Sequence, residues 1–361
     1  MQPTTAGSRH VNLSIIIVSW NVWPLLRACL QSIAQLTTPA PLALSQLRLY
    51  GPANDYAVEV IVVDNASSDE TITTLPALFP WVHLVPSQHN LGFTAGNNLG
   101  YKVSRGEFVF FLNPDTELTF TVADEAPPCS PLNPLTLMHT LLQDDVTIGM
   151  VGPQLRYGDG SWQNSRRHFP TRWTGFFEST WLGQFWPNNP WVRHMHMREV
   201  PATTRHEVDW LNGSAMYCRR EALETIRLAE DHGRYTGPFD ERFFMYSEEL
   251  DLCQRIKAAG WRICYLPEVT VKHYEGQSSG QVVTRRHILF NTSKVRYYQK
   301  YFGTSWAIVL RAYLLFEYGV QVILETGKLL LGHKPALRRA RIQGYLTILR
   351  SGFRDGLSLH A

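Results

Sequence analysis

Four places in this 361-residue chain set carboxylates or an imidazole where runs of buried-strand character end: Asp64, Asp115, the cluster Glu248-Glu249-Leu250-Asp251, and His273. Three carboxylates within four residues repel one another. That repulsion raises at least one pKa toward neutrality, as a general base at neutral pH requires. The competing reading is that acids at a helix start simply suit its dipole. A lone Asp at a strand end is often a cap, and Ser68 and Asp69 read that way. Asp64 and Asp115 differ, because carboxyl-terminal strand ends of one parallel sheet open on one crevice and should share a pocket. Asp115, flanked by Asn113, is the candidate metal ligand, since a hard ion such as Mg²⁺ takes one or two carboxylates and substrate phosphates. His273, taken alone, reads as a structural histidine. Gly92, Gly96 and Gly100, spaced by four, permit close backbone approach at a helix start without forming a dinucleotide fingerprint.

Several elements must position these groups. Leu13–Val18 and Val58–Val63 are continuous apolar runs, as is Phe108–Leu112 in EFVFFLNPDTEL, and such runs suit strands buried on both faces. Pro114 ends the third run at Asn113-Pro114-Asp115. Helical patterns follow Pro24, Asp69 and Gly92, and a short strand spans Val82–Val85. The first 118 residues therefore alternate strand and helix four times, which predicts an α/β doubly wound parallel sheet. Residues 37–55, 120–134 and 170–201 read as loops, the first as a peripheral insertion. Between and beyond them come a helix (Leu135–Gln143), a strand (Ile148–Val151), a strand leading into Asn212-Gly213, and helices near Glu221–Leu228 and from Glu248 to Gly260. Two short strands, Arg262–Leu266 and Val269–His273, are expected on either side of Pro267.

The composition is that of an ordinary globular protein, 44% hydrophobic and 18% charged. Its net charge of +3 hides an asymmetry: between Arg285 and Arg354 only Glu317 and Glu325 oppose 13 Lys and Arg. From Val282 the pattern is helical. Trp306–Leu331 most resembles a membrane segment, but its longest uncharged run, Tyr318–Leu324, is too short to cross a bilayer. Glu317, Gln321, Glu325 and Lys328 form one polar stripe on that helix. Two readings stay open for this basic region: an interfacial helix on an anionic membrane surface, or a bundle helix packed on the catalytic domain or on a second subunit as a homodimer. The tail lacks the interleaved aromatics of a nucleic-acid module, so no nucleic acid is expected as partner. Cys29, Cys129, Cys218, Cys253 and Cys264 contain no C-x-x-C pair and read as reduced thiols of a cytoplasmic protein. No signal peptide or N-terminal span is expected.

The segments SIIIVSWN (14–21), VIVVDNASSD (60–69), NLGFTAGNN (90–98), FFLNPDTEL (110–118), WLNGSAMYCRRE (210–221), FDERFFMYSEELDLCQRIKAAGW (239–261) and HYEGQSS (273–279), in this order, resemble a family 2 glycosyltransferase of the GT-A fold, in its rhamnosyltransferase-like branch. The resemblance covers about Leu13–Ser279. It implies a GT-A catalytic domain over 1–281, with a donor half of about 1–118 and an acceptor half of about 145–281. A helical region, 282–361, completes the chain. It further implies a nucleotide-sugar donor, a divalent metal (Mg²⁺ or Mn²⁺), inversion at the anomeric carbon, and a glycan or lipid-linked acceptor. The branch suggests dTDP-L-rhamnose. Carried over by position, Ser19, Asn21 and Asp64 belong to the nucleotide site. Asn90, Gly92, Asn97 and Asn113 flank the donor, and Trp210, Asn212 and Gly213 lie toward the acceptor. Asp115 takes the metal position of the family's D-x-D motif, here reduced to Asn-Pro-Asp, and His273 becomes its partner. Glu249 stands at the general base, with Glu248 and Asp251 as alternates. The setting implied is cytoplasmic, peripheral on the inner face of the plasma membrane.

Two rivals are weighed against this. A nucleotidyltransferase would carry a Gly-rich, basic loop after the first strand, which Ser19-Trp20-Asn21-Val22 is not. A catalytically inactive sugar-binding protein of the same fold would not need Asp64, Asp115, Glu249 and His273 together.

Overall fold

The three apolar runs become the centre of the sheet in the computed structural model, which describes residues 10–41, 45–120, 132–228, 237–274 and 283–354. β1 (Leu13–Ser19) lies between β4 (Tyr56–Asp64) and β6 (Phe108–Leu112) and is parallel to both. Every residue of β6 is buried, and each such Phe, Val or Leu stabilises the fold by about 1.5–3 kcal/mol. The crossovers are α1 (Trp23–Leu36), α2 (Thr71–Leu78) and α3 (Gly92–Val103); β5 (Val82–Pro86) pairs parallel to β4. Asp69 accepts from the Thr71 N–H and also from the Trp23 N–H, so this cap ties two helix starts together. Residues 37–55 are not simply loop: β3 (Arg48–Tyr50) extends the sheet antiparallel to β4, and β2 (Thr38–Pro39) pairs antiparallel with β3.

The second half completes the sheet with mixed polarity. After β7 (Thr116–Leu118) come α4 (Pro134–Asp144), β8 (Ile148–Arg156), β9 (Trp162–Gln163) and β10 (Arg166–Arg167). Residues 170–201, expected to be irregular, hold three short helices: α5 (Thr174–Phe177), α6 (Trp181–Phe185) and α7 (Pro190–Met195). Then follow β11 (His206–Glu207), β12 (Trp210–Leu211), β13 (Ala215–Arg219), α8 (Arg220–Thr225), α9 (Glu248–Ala258) and β14 (Arg262–His273). β13 slots antiparallel between β6 and β8, joining two locally parallel halves; β8 and β14 pair parallel. The two strands expected around Pro267 are one strand, β14, whose register against β8 shifts between Leu266 and Thr270. That irregularity absorbs the missing proline donor.

Three helices follow: α10 (Val283–Phe302), α11 (Thr304–Leu330) and α12 (Pro335–Ser351). Their shared apolar cluster includes Phe243, Leu250, Tyr298, Leu310 and Leu314, which fastens them to the sheet domain through α9. Contrary to the reading of its uncharged runs, α11 is a continuous helix long and apolar enough by length and composition to cross a bilayer. Cys29, Cys218, Cys253 and Cys264 are buried free thiols, while Cys129 and the boundary at 281/282 lie outside the described residues.

Gly106 feeds the chain into β6 against the neighbouring strand: a Cβ there would stand 2.4 Å from the Ser14 nitrogen and 2.7 Å from the Phe108 carbonyl oxygen. Both obstacles are backbone and cannot rotate away. Gly106→Ala is expected to destabilise by about 1–3 kcal/mol, read as a lowered thermal midpoint. An unchanged midpoint would refute this packing constraint.

Candidate active site

The cavity opens at the carboxyl ends of β1 and β6 and is walled on its far side by the start of α9 and the first turns of α10. Asp115, His273, Asn212, Gly213, Glu248 and Glu249 all line it. Sequence separations of more than 150 residues are closed by two pairings. β7 runs antiparallel to β14 with Thr116 opposite His273, and the Tyr274 N–H donates to the Asp115 carbonyl. His273 Nε2 consequently lies 3.5 Å from Asp115 Oδ1, with both side chains nearly buried. His273 Nδ1 is 3.0 Å from Gln163 Oε1. With the Nδ1 proton held there, the Nε2 lone pair is free to point at the cavity.

Among the described residues no group of three His, Cys, Asp or Glu is placed to hold an ion. The Asp115–His273 pair supplies one oxygen and one nitrogen. That set fits a divalent ion whose remaining positions are filled by phosphate oxygens and water.

Opposite lies the acid pair. Tyr246 (φ 70°) and Ser247 (φ 61°) are consecutive non-glycine residues in the left-handed region. Such a conformation costs about 1–3 kcal/mol per residue and persists only when the surroundings impose it. This bend launches α9 so that Glu248 and Glu249 face inward. One oxygen of each, Oε2, is buried without a hydrogen-bond partner. Burial, opposed by backbone N–H groups at the start of α9 and by Arg167 and aided by Glu178, pushes the Glu249 carboxyl up to about 7. Burial, with the adjacent Glu249 charge, pushes Glu248 well above the carboxylate range. Asp251, an alternate base in the sequence, instead points away from the cavity: it pairs with Arg255 at 2.9 Å and Lys300 at 2.5 Å and accepts from the Tyr301 hydroxyl. It pins α10 to α9.

The donor-side candidates divide into two sets. Asn90, Gly92 and Asn113 line the cavity. Gly92, at φ +79°, has the Phe244 carbonyl oxygen 2.5 Å from where a Cβ would sit, so only glycine fits. Ser19, Asn21, Asp64 and Asn97 are not among the residues that line the cavity. The Asp64 Oδ2 atom accepts from the Ser67 N–H, Asn21 accepts from the Ser68 N–H, and Asn97 donates to the Phe93 carbonyl. Ser19 and Asp64 are cross-strand partners, and Ser19 Oγ and Asp64 Oδ1 are both buried without partners. Trp210 does not line the cavity either; its indole N–H donates to the His168 carbonyl and its ring lies under Arg167.

Sequence reasoning missed Asn65, Trp20, Ser214, Tyr246, Arg285 and Arg286, all of which line the cavity. Asn65 donates to the Gly92 carbonyl and accepts from the Leu91 N–H, clamping the 90–92 turn to β4. Its place directly after Asp64 was a signal. Arg285 and Arg286 read as part of a basic tail, and only the folding back of α10 brings them here. Arg285 stacks over Phe244.

The description "Glycosyl transferase family 2" matches residues 14–123. The chain is 30% identical over 260 residues to the N-acetylglucosaminyl-diphospho-decaprenol L-rhamnosyltransferase of Mycobacterium tuberculosis, covering 69% of this chain and 77% of that one. The chain belongs to glycosyltransferase family 2. It is a hexosyltransferase of the rhamnosyltransferase-like kind, built on a mixed α/β sheet with an added helical region. The enzyme is also 27% identical over 208 residues to the low-salt glycan biosynthesis hexosyltransferase Agl10 of Haloferax volcanii, over 55% of this chain and 53% of that one. It is 40% identical over 67 residues to the rhamnosyltransferase WbbL of Escherichia coli, 19% and 22% of the two chains. Among solved structures, the mannosyltransferase PcManGT from Pyrobaculum calidifontis, in complex with GDP-Man and Mn²⁺, aligns at TM-score 0.48 and 17% identity over 94% of this chain and 85% of that one.

The enzyme's buried acids carry a stability signature. Glu249's folded pKa of about 7 lies above an unfolded value near 4.3. The stability from its bound proton is full below that unfolded value and is lost as pH rises through about 7. Glu249→Gln should therefore raise the melting temperature by about 2–4 °C at pH 8.5, and far less at pH 5, in a thermal-shift series. A difference that does not vary with pH would count against a buried, charge-strained pair.

Proposed function

We propose that this enzyme transfers L-rhamnose from dTDP-L-rhamnose, with inversion, to a hydroxyl of a lipid-linked glycan in cell-surface polysaccharide synthesis, at the cytoplasmic face of the membrane. The observation that carries the reading is the single cavity in which Asp115 and His273 face Glu248 and Glu249. The similarity to a rhamnosyltransferase acting on an N-acetylglucosaminyl-diphospho-decaprenol supports the donor sugar and the lipid-linked acceptor.

In this mechanism Asp115 and His273 would hold a divalent ion on the diphosphate side of the cavity. When bound, that ion supplies positive charge against the departing nucleoside diphosphate. Arg285 and Arg286 add fixed cationic charge on the same cavity. Such help matters here because Asn-Pro-Asp offers one carboxylate where D-x-D offers two. Ser19 and Asp64, buried beside the lining residues Trp20 and Asn65, are assigned to supporting the nucleotide end of the site. Asn65, by fixing the 90–92 turn, holds Asn90 and Gly92 against the donor.

Glu249 takes the proton of the acceptor hydroxyl. The acceptor oxygen attacks the anomeric carbon from the face opposite the diphosphate, the bond to the diphosphate oxygen breaks, and the proton stays on Glu249 until exchanged. Glu248 beside it keeps the pair from ionising fully at low pH. Asn212 and Gly213 bound the acceptor side, and the small Gly213, 3.3 Å from the Glu249 Cβ at its own Cβ position, leaves the base room.

Two assays test this. Glu249→Gln should lower kcat by about 10²–10⁴-fold with little change in donor KM. The acid limb of the wild-type kcat/KM profile should fall near pH 7. Near-normal turnover in the variant removes Glu249 from the chemistry. A panel of nucleotide sugars scored for metal-dependent hydrolysis should single out dTDP-L-rhamnose, and selection of another donor would overturn that part.

A further inference from the structure

Helix α11 is built inside out for a soluble protein. The two acids of its polar stripe are turned toward protein. The Glu317 carboxylate accepts from the Trp181 N–H of α6, and Glu325, 2% exposed, is clasped by Arg338 of α12 at 2.7 Å and by Lys328. The opposite face carries Val309, Phe316, Ile323 and Leu330, spaced by seven, with the last three 66%, 72% and 83% exposed. A helix that spends its acids on internal partners and shows hydrocarbon outward has the polarity of one facing lipid.

The surroundings point the same way. Trp181 and Leu182 of α6, with Tyr313, Phe316 and Val320 of α11 and the stripe residues Glu317 and Gln321, bound a groove beside that face. Phe185 and Trp186, both exposed, continue it. Indole and phenyl side chains at such an edge suit the headgroup level of a bilayer. Lys334, just before α12, and Arg339 on it are exposed; Arg341, also exposed, stands 3.7 Å from Glu325, which Arg338 and Lys328 already clasp. This excess of cations complements an anionic lipid surface.

We infer that the outward face of α11, with the aromatic residues of α6 and the cations of α12, seats the enzyme on an anionic bilayer, α11 lying in the interface and not crossing it. Crossing is disfavoured because α10 and α12 pack along α11 and would carry Glu325 and its cations into the hydrocarbon. Seating this face also orients the site. The Tyr318 hydroxyl of α11 bonds His287 and Asn291 of α10, within two turns of Arg285 and Arg286 at the cavity wall. The mouth is thus held beside the membrane surface, where the diphosphate of a lipid-linked acceptor resides. This inference rests on the lipid-linked acceptor proposed above.

The test is flotation of the full chain with vesicles of phosphatidylcholine alone or mixed with phosphatidylglycerol. The wild type should float with the anionic vesicles and much less with the neutral ones. Phe316→Glu with Ile323→Glu, and separately Lys334→Glu with Arg339→Glu, should each lower partitioning about tenfold or more. Circular dichroism should be unchanged, and so should nucleotide-sugar hydrolysis without vesicles. Absence of wild-type flotation, or undiminished flotation of the Phe316/Ile323 variant, overturns the inference. So does a wild-type dimer that this variant turns into monomer, since a second copy would then cover the stripe. Hydrolysis without vesicles is a separate readout: its loss in the wild type would count against the transferase reading and leave the flotation result intact.

Discussion

The site depends above all on the antiparallel pairing of β7 with β14. β6 ends at Leu112, and Pro114 two residues on makes the chain leave the sheet at Asn113-Pro114-Asp115. The three-residue strand β7 then turns it back along β14, the last strand of the domain. That pairing puts Thr116 opposite His273 and sets Asp115 beside the imidazole. A single residue of register slip would turn each side chain of β7 to the other face of the sheet. β13, wedged antiparallel between β6 and β8, performs the companion task. It spaces the two parallel halves so that the turn at Asn212-Gly213 meets the start of α9.

On the other wall, strain takes the place of pairing. Two left-handed residues and a buried pair of carboxylates are each unfavourable alone, and they adjoin in sequence. Asp251 helps to offset the cost through Arg255, Lys300 and Tyr301, which lock α9 to α10. The same α10 supplies Arg285 and Arg286. The helical region is therefore part of the catalytic wall as well as a support for it, and the stripe on α11 is the outer surface of that support.

Much of this was legible in the chain. The uninterrupted apolar runs ending in Asp64 and Asp115 gave the parallel core and its crevice, and the motif order gave the family. What was not legible was long-range. β7 and β13 are short, and neither shows a period of its own; they are strands because neighbours pair with them. Asp251 looks like Glu248 and Glu249 in sequence. The difference lies in a turn of helix, which aims it at Lys300. The polar stripe of α11 could be read from its spacing, but the side it faces is set by α6 and α12. The arginines of α10 read as surface charge for the same reason.

The central claim is a division of labour across one cavity: Asp115 and His273 on the diphosphate side, Glu249 on the acceptor side. Electron paramagnetic resonance of Mn²⁺ with the protein and dTDP tests it most directly. Mn²⁺ should bind tightly only when dTDP is present; Asp115→Ala should abolish this binding, His273→Ala weaken it, and Glu249→Gln leave it intact. Equal Mn²⁺ binding by wild type and Asp115→Ala, or its loss in Glu249→Gln, would contradict the account.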